Sequence, residues 1–224
     1  MAQTVFHAYI GYNLKKILPK ERFYTPSIIF GALLPDIDKL FVLIGSLYFP
    51  LSISKKLFQS TFSHSFFTLL IIYLISAFIA EWKKKPILKN VSKGLALGIL
   101  SHIIIDTLLS FNHIDLLWPL PFNSFNLWIF SDIPESLINT ILASDFFLFY
   151  CYFWFLIKKH LELPNTQSWI VNYLQKLKVA EGVLFIIFIL LINYEYNFNL
   201  FLIAFTPSLI FALWATYKSR NALL

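Results

Sequence analysis

The chain has 224 residues, of which 58% are hydrophobic, 19% are aromatic and only 13% are charged. A soluble domain usually carries about a quarter charged residues, so this composition excludes an ordinary soluble domain and indicates a membrane protein. The formal net charge of +6 is better explained by basic loops that anchor membrane helices than by nucleic acid, which we exclude as a partner.

Residues 1–24 combine lysines and arginine with apolar residues that recur at a helical spacing of three and four. This pattern predicts a short amphipathic helix that lies at the membrane surface or packs on the bundle. His7 falls within this helix, and spacing alone favours an ordinary interfacial histidine over a metal ligand.

The next apolar segment, residues 27–50, is long enough to cross a bilayer, yet it contains Asp36 and Asp38 directly after Pro35. Proline should break or kink the helix, and it places Asp36 in a first turn whose amides favour a carboxylate. An unpaired carboxylate within a span costs roughly 2.5–3.5 kcal/mol, so both acids require partners. The alternative is that Asp36 only caps a helix and Asp38 pairs with Lys39.

Two further polar positions lie in apolar surroundings. His64 follows serine and threonine residues that suit the N-terminus of a helix predicted over residues 66–82. His102 and Asp106 are four residues apart in the span predicted over residues 94–111, so their side chains share one helical face. The pair either holds a cation or forms a structural hydrogen bond, and its spacing favours neither.

Imidazoles and carboxylates are the ligands that suit zinc and its neighbours, and a divalent cation would neutralise the buried acids. We therefore predict that five side chains converge on one ion or a close ion pair: Asp36, Asp38, His64, His102 and Asp106. Because the basic loops are assigned to the inside of the membrane, we predict that this site lies toward the outer side.

Residues 112–135 contain no lysine or arginine and are rich in Trp, Pro and Phe, which is typical of a loop at the aromatic belt. Four polar residues near this loop are expected to be solvated rather than to bind metal: His113, Asp115, Asp132 and Glu135. Three more spans are predicted, over residues 136–157, 179–193 and 200–217, the last with a kink at Pro207. Asp145 either completes the metal site or bonds a neighbouring hydroxyl. The single cysteine, Cys151, excludes a disulfide framework.

These elements predict an all-α fold, a polytopic membrane helix bundle of about six transmembrane spans plus the N-terminal amphipathic helix. We expect one membrane-embedded domain over residues 1–224, with a motif-bearing part at 1–122 and C-terminal spans at 136–217. Loops assigned to the inside collect fifteen of the eighteen Lys and Arg residues. This bias predicts a plasma (inner) membrane protein with both termini in the cytoplasm.

The motifs occur in a recognisable order. They are Gly-Ala-Leu-Leu-Pro-Asp-Ile-Asp at 31–38, Ser-His-Ser at 63–65, His-x-x-x-Asp at 102–106 and Leu-Leu-Trp-Pro at 116–119. This order resembles the YdjM-like family of membrane-bound metal-dependent hydrolases, over roughly the first 120 residues. The chain departs from the family pattern at Gln59-Ser60-Thr61, where His-Arg-Gly is common, and at Lys39, where a histidine is common.

The resemblance implies a metal site and a reaction. It adds His7 as a further ligand to the five residues above, and it implies zinc, as one or two ions. By analogy the family is distantly similar to zinc-dependent phospholipases C and P1-type nucleases, which implies phosphoester chemistry. The general base would be whichever of Asp36 and Asp38 is not fully coordinated.

We therefore predict a membrane-bound metal-dependent hydrolase of a phosphoester or lipid-like substrate, with membrane lipids as its surroundings. Two other classes stay open, an ion or proton transporter and a structural membrane protein whose polar residues only pair helices. Clustering of the polar residues near one side favours a site over a channel. The sequence leaves the substrate and the oligomeric state open.

Overall fold

The computed structural model describes residues 3–18, 21–109, 113–122, 124–127, 134–164, 167–191 and 198–224. Within these ranges the fold is α-helical, as predicted, with one isolated antiparallel bridge between Ile114 and Phe125. The chain divides into two compact units, Met1–Phe130 with Leu224, and Ser131–Leu223. The expectation of a single domain stays a prediction.

The first unit is built around a long central helix, α6 (Pro86–Leu109). The other α-helices of this unit are α1 (Thr4–Asn13), α2 (Tyr24–Leu33), α3 (Asp38–Gly45), α4 (Leu51–Phe58) and α5 (Phe66–Trp82). Short 3-10 turns cover Leu14–Lys16, Leu34–Ile37 and Phe62–His64. Helix α6 packs against α1, α2 and α5, and it also contacts the turn Leu34–Ile37.

Small residues allow α2 and α6 to approach closely. Gly94 and Gly98 are four residues apart on α6, and they face Ser27 and Gly31, which have the same spacing on α2. A Cβ atom on Gly98 would lie only 2.2 Å from the carbonyl oxygen of Ile28. Paired small residues of this kind are a common means of helix packing in membranes. The backbone of α2 therefore comes within reach of side chains on α6.

The segment predicted as a span over residues 27–50 is interrupted at Pro35. Helix α2 ends at Leu33, a 3-10 turn covers Leu34–Ile37, and α3 begins at Asp38. Proline has no amide hydrogen and its ring crowds the preceding turn, so it breaks or kinks a helix, and at Pro35 the helix breaks. The tightened turn lets the acids on either side of Ile37 both point into the protein, although they would diverge on a regular helix.

The N-terminal helix takes the second of its two predicted positions. Helix α1 packs on α2 and α6, and it buries Val5, His7, Ala8 and Gly11 while Tyr9 remains 62% exposed. His7 thus faces the interior of the first unit rather than the membrane surface.

The second unit consists of α7 (Glu135–Leu161), α8 (Ser168–Leu190) and α9 (Phe198–Lys218). Helix α7 packs against both of the others, and Pro207 lies inside α9. The core is aromatic, with five fully buried rings: Phe146, Phe149, Phe153, Phe201 and Phe205. These rings exclude water from the centre of the unit and account for much of its apolar burial.

Among the described residues, three helices are long and apolar enough to cross a membrane: α6, α7 and α9. A fourth span forms if Leu51–His64 and Phe66–Trp82, which are bent by 51° at Ser65, count as one. This is fewer than the six or so predicted. One predicted span is broken at Pro35, and Lys176, Lys178 and Glu181 on α8 make the helix over the predicted segment 179–193 too polar.

Candidate metal centre

All six predicted ligands lie in the first unit, and each is fully buried, with 0% of its surface exposed. They come from five elements: His7 from α1, Asp36 from the turn after α2, Asp38 from the start of α3, His64 from the turn before α5, and His102 and Asp106 from α6. The N-cap of α5 is Ser65, which accepts a hydrogen bond from the amide of Phe67, and not one of the serine and threonine residues before His64 that were predicted.

Three side chains form the centre of the cluster. Nε2 of His64 lies 3.2 Å from Oδ2 of Asp106 and 3.2 Å from Nε2 of His102. Nε2 of His102 lies 3.6 Å from the same carboxylate oxygen, so the three ligand atoms form a triangle. Ligand atoms bound at about 2.0–2.1 Å around a tetrahedral ion are themselves about 3.3 Å apart. The triangle therefore has the size that a zinc-like ion needs.

His7 and Asp36 extend this centre. Nε2 of His7 lies 3.3 Å from Oδ1 of Asp106, and its ring stacks on that of His102 with centroids 3.7 Å apart. The ligand atoms form two groups, and within each group all atoms lie within 4.8 Å of one another. One group is His7, His102 and Asp106, and the other is Asp36, His64 and His102. Burial lowers the pKa of His7 to about 4, so its imidazole is neutral at pH 7 and offers a lone pair.

Contacts behind the imidazoles set their orientation. Nδ1 of His102 lies 2.7 Å from the carbonyl oxygen of Ala32, and since a carbonyl only accepts, this nitrogen carries the hydrogen. Nε2 of His102 is then left as the ligand atom. Nδ1 of His64 lies 2.9 Å from Oγ of Ser63 and 3.6 Å from Oδ2 of Asp38. Such partners fix the ring orientation of metal-binding histidines.

The two acids after Pro35 take different places. Asp36 belongs to one of the ligand groups, and the ammonium of Lys39 contacts its Oδ1. Asp38 belongs to neither group, because its Oδ2 accepts a hydrogen bond of 2.8 Å from the amide of Ser60 and lies at the Nδ1 edge of His64. The geometry therefore makes Asp36 the better ligand of the two.

The chemistry of the cluster fits a divalent metal ion. Among the described residues, Nδ1 of His7, Oδ2 of Asp36 and Oδ1 of Asp38 are buried without a hydrogen-bond partner. Each such atom costs about 1–3 kcal/mol when nothing compensates it. Imidazole nitrogens and carboxylate oxygens together form the usual ligand set of zinc and its neighbours. A divalent ion at the centre would compensate the buried carboxylates as well.

Two contributions were missed by the sequence analysis, and a third was assigned to the wrong acid. Lys39, considered from the sequence only as a partner of Asp38, is 4% exposed and ion-paired with Asp36. Ser60 and Ala32 act through their backbone atoms, and Ser60 does so from a left-handed conformation with φ of 55°. A backbone contact leaves no mark in the side-chain pattern, so no signal was available for these two.

The other candidate residues stay outside the cluster. His113 is exposed, and Asp115 lines a separate cavity of about 490 Å³ together with apolar residues of the same loop. Asp132 and the side chain of Glu135 lie outside the described residues. Asp145 is buried in the second unit and belongs to neither ligand group.

An apolar cavity of about 270 Å³ borders the cluster. Its lining includes Leu34, Pro35, Ile37, Phe41, Ser63 and Ile99. Pro35 is the neighbour of Asp36 in the chain, and the hydroxyl of Ser63 contacts the ring of His64. The cavity is therefore lined by chain neighbours of Asp36 and His64.

A comparison with protein families matches the model described as YdjM inner membrane protein to residues 3–222. The match covers nearly the whole chain and extends well beyond the motifs in its first half. No curated protein and no solved structure matches the chain.

Proposed function

The chain belongs to the YdjM inner membrane protein family, and from this premise we propose that it is a membrane-bound metal-dependent hydrolase of a phosphoester or lipid-like substrate. The observation that carries the proposal is the triangle of His64, His102 and Asp106, whose ligand atoms lie 3.2–3.6 Å apart in the apolar interior. Six polar side chains concentrated at one buried place are costly without a function or a cation.

Five side chains surround the place where the ion would bind: His7, Asp36, His64, His102 and Asp106. Three of them, His64, His102 and Asp106, would hold it and leave a position for water. A divalent ion, most simply Zn²⁺, supplies Lewis acidity when bound there, lowering the pKa of a coordinated water and polarising a phosphoryl or acyl oxygen. The distant resemblance to zinc-dependent phospholipases C and P1-type nucleases supports a phosphoester over a peptide.

Asp38 is the acid that fits the role of general base. It stands outside both ligand groups, and its Oδ1 has no hydrogen-bond partner. In hydrolysis the water oxygen attacks phosphorus, the bond from phosphorus to the leaving oxygen breaks, and the water proton passes to a carboxylate and then to the leaving group. The other oxygen of Asp38 meanwhile keeps the ring of His64 in place.

The cavity beside the centre supports a substrate with an apolar part. Its volume of about 270 Å³ is lined almost wholly by apolar side chains, which suits a short stretch of alkyl chain rather than a sugar or a peptide backbone. The six polar side chains are fully buried, so turnover requires a motion that opens the cluster. The turns Leu34–Ile37 and Phe62–His64 border the cavity and are the walls that would move.

The test supplies zinc, manganese or magnesium to the purified protein with a panel of phospholipids and soluble phosphoesters. Wild type is compared with His102→Ala, Asp38→Asn and the matched control His113→Ala, which removes an exposed histidine. We expect turnover by wild type and the control, and a loss of at least about 100-fold in the other two. Equal turnover in all four proteins would reveal contamination, and a bound metal without any turnover would indicate a structural ion instead.

A further inference from the structure

We propose that this centre holds a single divalent ion, and that the buried ammonium of Lys39 takes the place of a second cation. The inference rests on the proposed metal centre but goes beyond it, because it assigns the ion count and gives Lys39 a role in setting it. Three independent features of the cluster carry it: the shared imidazole of His102, the placement of Lys39 and the balance of charge.

His102 is common to both groups of ligand atoms, which are His7, His102 and Asp106, and Asp36, His64 and His102. Its Nδ1 is occupied by the carbonyl oxygen of Ala32 at 2.7 Å. Only Nε2 remains, and one imidazole nitrogen has one lone pair and binds one ion. The two groups therefore compete for the same atom, so a second ion would have to bind without His102.

Lys39 lies where a second cation would otherwise be needed. Its side chain is 5% exposed, and its ammonium contacts Oδ1 of Asp36. Lysine is almost never buried unless it is paired, since taking an ammonium out of water costs several kcal/mol. The salt bridge of Lys89 with Glu81 shows the ordinary alternative in this chain, with side chains that are 49% and 68% exposed. Lys39 is thus a fixed positive charge of the cluster.

The charges of the cluster balance with one ion. Asp36, Asp38 and Asp106, counted as carboxylates, carry three negative charges, and the three histidines are neutral when they bind metal. One divalent ion and one ammonium supply three positive charges. A second divalent ion would leave an excess of two positive charges in a site that is 0% exposed. An uncompensated buried charge is far more costly than a paired one, so the second ion is excluded while Lys39 is present.

The test is the metal content of the purified full-length protein, measured by mass spectrometry after equilibrium dialysis against excess Zn²⁺. Ions that bind elsewhere on the surface are subtracted with the His102→Ala variant. We expect one ion per chain in wild type and in Lys39→Arg, which keeps the charge, and uptake of a second ion in Lys39→Met, which removes it while keeping the apolar stem.

Each possible metal count supports or contradicts the single-ion assignment or the metal centre itself. Two ions in wild type would overturn the inference but leave the proposed hydrolase intact. The same count in Lys39→Met and Lys39→Arg would also overturn it, because the charge of Lys39 would then have no influence. No ion in wild type would remove the metal centre and with it both proposals. If Lys39→Met does not fold, the wild-type and Lys39→Arg counts still test the single-ion assignment.

Discussion

Replacement of Gly98 by alanine should damage both the stability and the metal affinity of the protein. The added Cβ would lie 2.2 Å from the carbonyl oxygen of Ile28 and 2.7 Å from the amide nitrogen of Ala32, whereas ordinary contacts of a Cβ begin near 3.4 Å. Both atoms belong to the backbone, so α2 and α6 must separate by about 1 Å. Overpacking of this kind costs about 1–3 kcal/mol, and the better helix propensity of alanine returns only about 1 kcal/mol.

The same displacement reaches the metal centre. It would stretch the hydrogen bond from Nδ1 of His102 to the carbonyl of Ala32, now 2.7 Å, to about 3.7 Å, beyond the range of a hydrogen bond. Loss of a partner behind a metal-binding histidine typically lowers metal affinity by about 10–100-fold. Gly98→Ala should therefore weaken Zn²⁺ binding, although Gly98 touches no ligand.

The assay is thermal unfolding in detergent together with a Zn²⁺ titration of the same preparation. We expect a melting temperature lowered by up to about 8 °C, because the net loss of up to about 2 kcal/mol corresponds to about 2–4 °C per kcal/mol for a chain of this size. Gly182→Ala is the matched control on α8, since its Cβ would meet only the ring of Tyr150 at an ordinary 3.4 Å. Unchanged melting and unchanged zinc affinity in Gly98→Ala would refute the close α2–α6 packing and its coupling to His102.

Three further outcomes follow from the structure. Removal of the metal by a chelator should lower the free energy of unfolding by about 2.7 kcal/mol, compared with protein that has free ion at 100 times its dissociation constant. The chelator should therefore lower the melting temperature of wild type but not that of His102→Ala. Ser65→Ala should cost about 1 kcal/mol through loss of the N-cap of α5, seen as earlier melting of the metal-free protein. A cysteine at Ser124 should react with an impermeant label from outside, and one at Lys159 should not; the reverse pattern would overturn the proposed orientation of the loops.

The helical fold could be predicted because apolar length and proline position act locally. Phe66–Trp82 forms over the predicted residues, and α2 ends just before the turn that contains Pro35, where a break or kink was predicted. The number of spans could not be predicted by apolar runs alone. The run that begins at Val179 contains Glu181, and it continues a helix that starts at Ser168 and also carries Lys176 and Lys178; the structure joins these two lysines to the run.

The convergence of the site could be predicted because hydrocarbon rejects unpaired polar groups. His64, His102 and Asp106 had to find partners, and the partners available were one another. The separate places of Asp36 and Asp38 were not predictable, since they depend on the amide of Ser60 in a left-handed turn far along the chain. The ion pair of Lys39 with Asp36 likewise depends on the irregular turn after Pro35.

X-ray absorption at the zinc edge of the loaded protein tests the metal centre most directly, because it reports the atoms bound to the ion. We expect nitrogen and oxygen ligands at about 2.0–2.1 Å with the outer scattering of at least two imidazoles, and loss of part of that signal in His102→Ala. Sulfur at about 2.3 Å, or a spectrum that is the same in wild type and His102→Ala, would contradict a centre built from His64, His102 and Asp106.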